Sequence, residues 1–413
     1  MPPLIEFPLD LPEVRILHTD LSEREITIRV ESTREWAICH QCGQEIREFH
    51  GYGELLRLRH LPILGRRVFI ELRPKRFRCP FCDDHPTTTQ QLDWYEARSP
   101  HTRAYDQWLL LLLIGSTISD LMCKEGLTYD LILGALQRHI ASEVNWAEFT
   151  ALTILGLDEI ALRKGHQNFI VLVSTRQPDG SLALLGVLAD RKKETVAAFL
   201  RRIPVELRAQ IADVCTDMYE GYVNAVKEEV EQARIVIDRF HVAKAYRECA
   251  DQLRKRVLRE LKATLTKEEY AGLKGTMWPF RRDPEDLTAE ERERLALLLA
   301  CAPDLRRAWE LREELTAIFE TAHSKASGAV ALKGWMEQVR HSGLDCFDRF
   351  LVTLENWLDE ITNYFVARLT SGFVEGFNNK VKVLKRRCYG ITNLKHLFQR
   401  LCLDLEGYRL FGH

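Results

Sequence analysis

Three acidic residues stand where carboxylates can do metal chemistry. Asp158 closes an apolar strand predicted over residues 153–159, Asp217 directly follows a second one over 210–216, and Glu375 heads a basic helix. Each acid alone has an ordinary structural explanation, because surface acids end strands and a glutamate near a helix N-terminus interacts well with the helix dipole. Together, three carboxylates can hold two Mg²⁺ or Mn²⁺ ions about 4 Å apart, which suits in-line displacement at a phosphodiester. The elements that carry the acids must bring them together.

The segment around Glu375 has two faces if residues 370–390 form a helix. One face carries a predicted buried stripe of apolar residues: Val374, Phe377, Val381, Leu384 and Cys388. The opposite face carries Glu375, Asn379, Lys382 and Arg386, and residues 374–400 contain seven Lys/Arg against one acid. This surface suits a phosphate backbone, and the alternative is a solvated basic helix with a stray glutamate. The DNA contacts predicted in this segment are Asn379, Lys382, Lys385, Arg386 and Arg387.

Two Cys-x-x-Cys pairs form the second chemical signal. Cys39 and Cys42 form the first pair, and Cys79 and Cys82 form the second after 36 intervening residues. Four thiolates are the ligand set of one structural Zn²⁺, with no position left for a catalytic water. The intervening segment contains two predicted strands, 54–60 and 67–73, that can pair as a hairpin and bring the knuckles together. The alternative is four unrelated core cysteines.

Residues 57–78 form a second basic segment, with eight Lys/Arg against a single acid, Glu71. Arg66, Arg67 and Arg76 are the DNA contacts predicted there. The histidines near the knuckles, His40, His50 and His60, could each replace a cysteine ligand, but the better interpretation is that they are surface residues.

The order of elements after residue 150 predicts a mixed α/β sheet. Three strands (153–159, 168–175 and 181–188) precede a helix over 193–202, a strand over 210–216, a helix over 219–229 and a strand over 233–237. This is the order of the ribonuclease-H-like fold, in which strands one and four are neighbours. Asp158 and Asp217 would then lie side by side at one edge of the sheet.

The remaining segments read as helical or β-rich. Residues 99–145 outline a helix-turn-helix with the turn at Glu125-Gly126-Leu127, and residues 240–368 carry no strand signal. The predicted organisation is a zinc-binding β-rich domain (1–98), a helix-turn-helix region (99–150) and a ribonuclease-H-like catalytic domain (151–240 and 369–413) that is interrupted by an all-helical insertion (241–368).

Bulk properties set limits on function. At 413 residues the chain can form two or three domains. Its net charge of −2 offers no global attraction to nucleic acid, so a prediction of nucleic-acid binding depends on local basic patches. The longest apolar run, 108–114, is too short to cross a bilayer, and no secretion signal precedes it. We therefore expect a cytoplasmic protein without a membrane partner, which associates with the nucleoid when it binds DNA.

Several motifs resemble the transposases of bacterial insertion sequences, in particular the ISL3 family. They are Gly156-Leu157-Asp158-Glu159, Cys215-Thr216-Asp217, Asp238-Arg239-Phe240-His241 and the run from Ser371 to Lys380 with Lys385 to Gly390. The resemblance implies that Asp158, Asp217 and Glu375 are a DDE triad that uses two Mg²⁺ or Mn²⁺ ions. It also implies double-stranded DNA as partner, namely terminal inverted repeats and target DNA, cleavage and strand transfer by a freed 3′-hydroxyl, and a homodimer on paired ends.

Some alternatives stay open at this stage. Asp238 and His241 either support the active site or serve as a strand-end acid and a helix-capping histidine. Glu159, Lys164 and His166 are candidates near the first aspartate, with a solvated turn as the better interpretation. We expect core packing for Trp278, Trp309, Trp335 and Trp357; the alternative, stacking on a base, best suits Trp278, which lies beside Pro279, Arg281 and Arg282. Two rival functions are a catalytically silent DNA-binding regulator and a nuclease of the same fold that never joins strands.

Overall fold

The computed structural model describes residue 9 and residues 11–161, 169–369, 372–387 and 392–412, without the side chains of 372–375, 377 and 378. Lys164, His166 and Cys388 lie outside the described residues, as do the side chains of Val374, Glu375 and Phe377. The chain divides into two compact units. Unit 1 contains Met1–Ser142, Arg386–Tyr389 and Gln399–His413, and unit 2 contains Glu143–Lys385 and Gly390–Phe398.

Unit 1 begins with a four-stranded sheet in the order β1-β2-β7-β6. Its strands are β1 (Val14–Leu21), β2 (Glu25–Ser32), β6 (Leu56–Ile63) and β7 (Arg66–Leu72). Alternation along β2 buries Ile26, Ile28 and Val30, as a half-buried strand requires. The predicted hairpin is confirmed, because β6 and β7 pair antiparallel.

Short strands surround the cysteine pairs. They are β3 (Ala37–Ile38), β4 (Glu45–Ile46), β5 (Glu48–Tyr52), β8 (Lys75–Arg78) and β9 (Thr87–Thr89). β3 pairs with β4 just before and after the first knuckle, and β8 leads into the second knuckle while pairing with β5 and β9. The hairpin of β6 and β7 lies within the sequence between the knuckles and reverses the chain direction, so the fold of the sheet brings distant cysteines together.

Three helices follow the sheets in unit 1: α1 (Arg103–Leu113), α2 (Ile118–Glu125) and α3 (Tyr129–His139). Thr117 begins α2 with a capping box to Asp120, and Gly126 ends it at φ +63°, a conformation that favours glycine. The predicted helix, glycine turn and helix are therefore confirmed as secondary structure. His60, predicted on the surface, is instead buried, and its Nδ1 lies 2.9 Å from the Thr102 hydroxyl at the start of α1.

Unit 2 contains a mixed five-stranded sheet in the order β12-β11-β10-β13-β14. Its strands are β10 (Ile154–Ala161), β11 (Phe169–Arg176), β12 (Leu182–Leu188), β13 (Asp213–Thr216) and β14 (Arg234–Ile237). β10 and β13 pair in parallel, which confirms that the first and fourth strands are neighbours. The helices between these strands are α4 (Lys193–Arg202), α5 (Val205–Arg208) and α6 (Glu220–Glu229).

The two faces of this sheet bury different cores. Val214 and Ile235 belong to a cluster with α4 and α6, whereas Cys215 and Val236 belong to a cluster with the helical region that follows. Because successive strand residues point to opposite faces, β13 and β14 join the two cores.

The segment after β14 is helical, as predicted. Its helices are α7 (Arg239–Thr264), α8 (Lys267–Gly272), α9 (Met277–Arg281), α10 (Ala289–Cys301), α11 (Pro303–Thr321), α12 (Lys325–His341), α13 (Asp348–Asn356), α14 (Leu358–Thr362) and α15 (Tyr364–Ala367). The capping boxes Thr266/Glu269 and Thr288/Glu291 begin α8 and α10. Trp335 is buried and donates to the Leu311 carbonyl, whereas Trp278 is 56% exposed, so the prediction of core packing for Trp278 is wrong.

Two long helices end the chain: α16 (Gly372–Arg387) and α17 (Leu394–Phe411). Val381 and Leu384 of α16 are buried, as the predicted stripe requires. In α17, Leu403 packs with α1 and α3, and Arg400 donates to the Leu113 and Ser116 carbonyls at the end of α1. No described helix is both long and apolar enough to span a bilayer.

Candidate active site and zinc centre

Asp158 and Asp217 lie at the same edge of the unit 2 sheet. Gly156 of β10 faces Cys215 of β13 in parallel register. Asp158 lies two residues beyond Gly156, and Asp217 two residues beyond Cys215. Parallel neighbours carry corresponding positions to the same edge, so the pairing brings the first two predicted acids together.

Asp217 lies in a strongly acidic surrounding. The pKa of its carboxyl is raised to about 7, chiefly by burial and also by the charges of Glu159 and Asp158, while Arg191 and Lys244 oppose the shift. Its Oδ1 is buried without a hydrogen-bond partner among the described residues. A buried carboxylate oxygen without a donor, beside two further carboxylates, fits the oxygen ligands that a divalent cation prefers.

Glu159 belongs to the acidic cluster and is not the solvated turn residue of our interpretation. It is half-buried, and its Oε2 lies 3.2 Å from Nη1 of Arg191. The Arg191 guanidinium also lies over the rings of Phe169 and Tyr219, 4.9 Å from each centroid. The sequence analysis missed Arg191, because its partners come from three separate elements and no local motif marks it.

Asp238 and His241 begin helix α7 beside the same acids. Asp238 is buried and its Oδ1 accepts a hydrogen bond from the Phe240 amide at 3.0 Å, so it caps the helix. Burial lowers the pKa of His241, while the negative charges of Asp158 and Asp238 oppose that shift. His241 is thus within electrostatic reach of Asp158, and Asp238 serves as the helix cap.

Helix α16 carries Glu375 on its backbone, but the Glu375 side chain lies outside the described residues. Asn379, Lys382 and Arg386 are exposed, as a face open to a ligand requires. Lys385 differs from them, because its Nζ donates to the carbonyl of Ala161, the last residue of β10. In unit 1, Arg387 likewise donates to a backbone carbonyl, that of Gly115.

The four cysteines meet in unit 1 with the geometry of a tetrahedral site. Their sulfurs all lie within 4.8 Å of one another. The Sγ–Sγ distances are 3.9 Å for Cys39–Cys82, 3.7 Å for Cys42–Cys79 and 3.6 Å for Cys79–Cys82. Zinc–sulfur bonds of about 2.3 Å give a tetrahedron with edges of about 3.8 Å. The donor set therefore fits one Zn²⁺.

Thiol electrostatics also favour a cation at this position. The Cys42 backbone amide donates to the sulfur of Cys39, and the pKa of Cys39 falls to about 6 although burial opposes it. Burial and the neighbouring thiols raise the pKa of Cys82. Four sulfurs this close cannot all ionise by themselves, and a bound dication removes that conflict.

Three of the eight basic residues in the segment 57–78 form ion pairs in the structure. Arg57 pairs with Glu25, Arg59 with Glu125 and Lys75 with Glu35. Of the predicted DNA contacts, Arg67 is exposed and lies beside Gly126 at the turn before α3. Arg66 donates to the Ser22 carbonyl at 3.3 Å and Arg76 to the Thr87 hydroxyl at 2.5 Å, so these two arginines already have protein partners.

Comparison with known proteins now defines the class as a transposase. A family profile for DDE transposases of the ISL3 group, described as transposase, matches residues 155–401, and a profile described as the zinc-finger of transposase IS204/IS1001/IS1096/IS1165 matches residues 36–82. The chain belongs to the ISL3 family of insertion-sequence DDE transposases, as its motifs suggested.

Full-length relatives agree with this assignment. The transposase for insertion sequence element IS1001 of Bordetella parapertussis is 27% identical over 385 residues, which cover 93% of this chain and 92% of that protein. The transposase for insertion sequence element IS1557 of Mycobacterium tuberculosis (strain CDC 1551 / Oshkosh) is 24% identical over 393 residues, which cover 90% of this chain and 86% of that protein.

Proposed function

We propose that this transposase binds the terminal inverted repeats of its insertion sequence, cleaves the phosphodiester at each end and joins the freed 3′-hydroxyl to target DNA. The observation that carries the proposal is the meeting of Asp158 and Asp217 on adjacent parallel strands. The sheet order, with the third, second, first, fourth and fifth strands side by side, supports a ribonuclease-H-like core.

Asp158, Asp217 and Glu375 are the proposed DDE triad. Two Mg²⁺ (or Mn²⁺) ions held by these carboxylates would supply activation of the attacking oxygen and stabilisation of the leaving oxygen. The unpartnered Asp217 Oδ1 supports a ligand role for that residue. Asp238 fixes the start of α7, and His241 lies within the electrostatic field of Asp158, which supports a positioning role for both.

The proposed reaction has two displacements at phosphorus. In the first, water forms a bond to phosphorus while the bond to the 3′ oxygen breaks, and that oxygen leaves as a 3′-hydroxyl after it gains a proton. In the second, the 3′-hydroxyl attacks a target phosphodiester, so one P–O bond again replaces another and no covalent enzyme intermediate forms. Pairing of two ends calls for a homodimer.

DNA recognition is proposed for three surfaces. They are the zinc module, the α2–α3 helix pair and the exposed face of α16 with Asn379, Lys382 and Arg386. Helix pairs of this kind place their second helix in a major groove, and lysine and arginine on a helix face follow the phosphate backbone. The exposed Arg67 beside the turn before α3 supports a contact from the β-rich sheet.

The decisive experiment uses the purified full chain, Mg²⁺ and a labelled duplex that carries an inverted repeat taken from the DNA flanking the gene. Asp158→Asn, Asp217→Asn and Glu375→Gln should each abolish cleavage while DNA affinity stays close to wild type. Asp213→Asn, a strand acid that pairs with Arg234, is the matched control and should still cleave.

The same assay separates the rival functions. Wild-type protein that binds the duplex without cutting it is a regulator, and cleavage without joined products in the presence of target DNA indicates a nuclease. If a triad variant cleaves like the wild type, that acid is not a catalytic ligand.

A further inference from the structure

Lys385 is the predicted DNA contact whose structure least fits that role. It lies on the same helix as Lys382 and Arg386, which are exposed, but it is half-buried and its ammonium donates to the Ala161 carbonyl. Partial burial also lowers the pKa of Lys385. An ammonium that already binds a carbonyl has less capacity to neutralise a phosphate.

The partner of Lys385 is the strand that carries Asp158. Ala161 is the last residue of β10 and lies three residues beyond Asp158, or about 10 Å along the strand. Glu375 lies ten residues before Lys385 on the same helix, or about 15 Å along its axis. The bond thus joins the helix of the third acid to the strand of the first.

Apolar packing alone does not fix how such a helix is placed. Val381 and Leu384 of α16 are buried, but apolar contacts are non-directional and permit small rotations and shifts of a helix. One hydrogen bond from a charged donor to a defined carbonyl specifies both the rotation and the axial position of the helix. A shift of about 1 Å at a catalytic group can reduce a rate by about a hundredfold.

We propose that Lys385 is a positioning residue, which sets the placement of the Glu375 helix against β10 and does not contact DNA. The inference rests on the proposed function, because it assumes that Glu375 is the third catalytic acid.

The test compares full-length variants in Mg²⁺-dependent cleavage of the inverted-repeat duplex at saturating DNA, together with binding measured over a range of salt concentrations. Lys385→Ala should slow cleavage roughly 10- to 100-fold while the DNA affinity and its salt dependence stay as in wild type. Lys385→Arg keeps a donor and should recover most of the rate. Lys382→Ala, three residues earlier on the exposed face, should instead weaken binding and reduce the salt slope by about one.

A double variant tests whether Lys385 acts through Glu375. Glu375→Asp keeps a carboxylate and should leave a measurable rate, and adding Lys385→Ala to it should slow cleavage by a smaller factor than Lys385→Ala slows the wild type. If Lys385→Ala lowers the melting temperature, Lys385→Met replaces it, because methionine keeps the apolar stem and removes only the donor.

The outcomes separate this inference from the proposed function. If Lys385→Ala and Lys385→Met both cleave DNA at the wild-type rate, the positioning role is wrong while the triad stands. The same holds if they lose DNA affinity as Lys382→Ala does. Wild-type cleavage by Glu375→Gln overturns the triad itself.

Discussion

Arg191 is the main positive charge described at the edge of the acidic cluster. It pairs with Glu159 and lies over two aromatic rings, and its charge lowers the pKa of Asp217 against the effect of burial. Three neighbouring carboxylates repel one another in the absence of cations, so a fixed guanidinium lowers the electrostatic free energy of keeping them ionised and close together. Its side chain is 42% exposed, so solvent screens part of this effect.

We expect Arg191→Gln to lower the cleavage rate roughly tenfold, because it leaves Glu159 unneutralised and removes a cation beside the reacting phosphate. Single-turnover cleavage of the inverted-repeat duplex measures the effect. Arg201→Gln is the control, since Arg201 forms an exposed pair with Glu229 between α4 and α6. Equal rates for the two variants would show that Arg191 has no part in the reaction.

Sequence reasoning found acids more readily than their partners. Asp158 and Asp217 could be predicted as neighbours because each lies near the end of a predicted apolar strand, and the strand order then brings them together, although β10 continues to Ala161 beyond Asp158. Arg191 could not, because its contacts with Glu159, Phe169 and Tyr219 depend on three-dimensional packing. Lys385 was predicted to contact DNA as one of the basic residues of the Glu375 helix, but the sequence does not show which long side chain turns back to the protein.

At the scale of elements, a buried charge cluster holds the ends of α1 and α3 together. Asp106 of α1 is 1% exposed and accepts from His101 at 2.8 Å, from Arg138 at 2.8 Å and from His139 at 3.2 Å. Burial alone would raise the pKa of Asp106, but these hydrogen bonds and the Arg138 charge outweigh it and hold the pKa well below its usual range. The cluster therefore specifies the angle between the two helices.

We expect Asp106→Asn to lower the free energy of unfolding of unit 1 by about 3 kcal/mol at pH 7, because a half-buried arginine and two histidines lose their charged acceptor. A group whose folded pKa is depressed stabilises the fold above its unfolded pKa, near 4, and loses that contribution as pH falls below it. The difference between variant and wild type should therefore shrink under acid.

Urea unfolding at pH 7 and at pH 3.5 measures this difference. Asp130→Asn, an exposed acid in the first turn of α3, is the control and should change the free energy of unfolding by less than about 0.5 kcal/mol. A difference that stays the same at both pH values would contradict the assignment of the stabilisation to the ionised carboxylate.

Periodicity predicted most elements and failed where long-range packing decides. The helix over residues 193–202 was found as predicted, and both capping boxes are present. The strand predicted over 210–216 is shorter, Asp213–Thr216, because residues before it form turns after α5. Trp278 was predicted in the core, yet local sequence cannot show whether another element covers a tryptophan, and in the structure it is exposed.

At the scale of the whole molecule, each unit has hydrophobic clusters of its own. Unit 1 buries the sheet core around Ile70, the helix core around Leu109 and a small core at the cysteines, while unit 2 buries both faces of its sheet. The predicted segment 369–413 contributes to both units, since residues 399–413 group with unit 1.

This division makes zinc a local requirement for folding. The core at the cysteines contains little apolar area besides Ala37, Ile46 and Phe77, so it depends on its metal, and structural zinc contributes on the order of 10 kcal/mol in isolated fingers. We expect one zinc per chain in the wild type and none after Cys79→Ser. Hydrogen exchange should rise in β3, β4, β5 and β8 of the variant while β10 to β14 keep their protection, because unit 2 has its own cores.

Metal analysis and hydrogen exchange on the full chain test this expectation, with Cys123→Ser as the control, an exposed cysteine of α2 remote from the cluster in sequence. Binding of the inverted-repeat duplex should weaken with the loss of zinc if the module takes part in end recognition. If Cys79→Ser keeps its zinc, the assignment of the four-cysteine site is wrong. If β10 to β14 lose as much protection from hydrogen exchange as β3, β4, β5 and β8, the two units do not fold independently. If the loss of protection is confined to unit 1, the metal stabilises the unit that contains the zinc module and the α2–α3 helix pair. The strands that bear Asp158 and Asp217 would then fold without it.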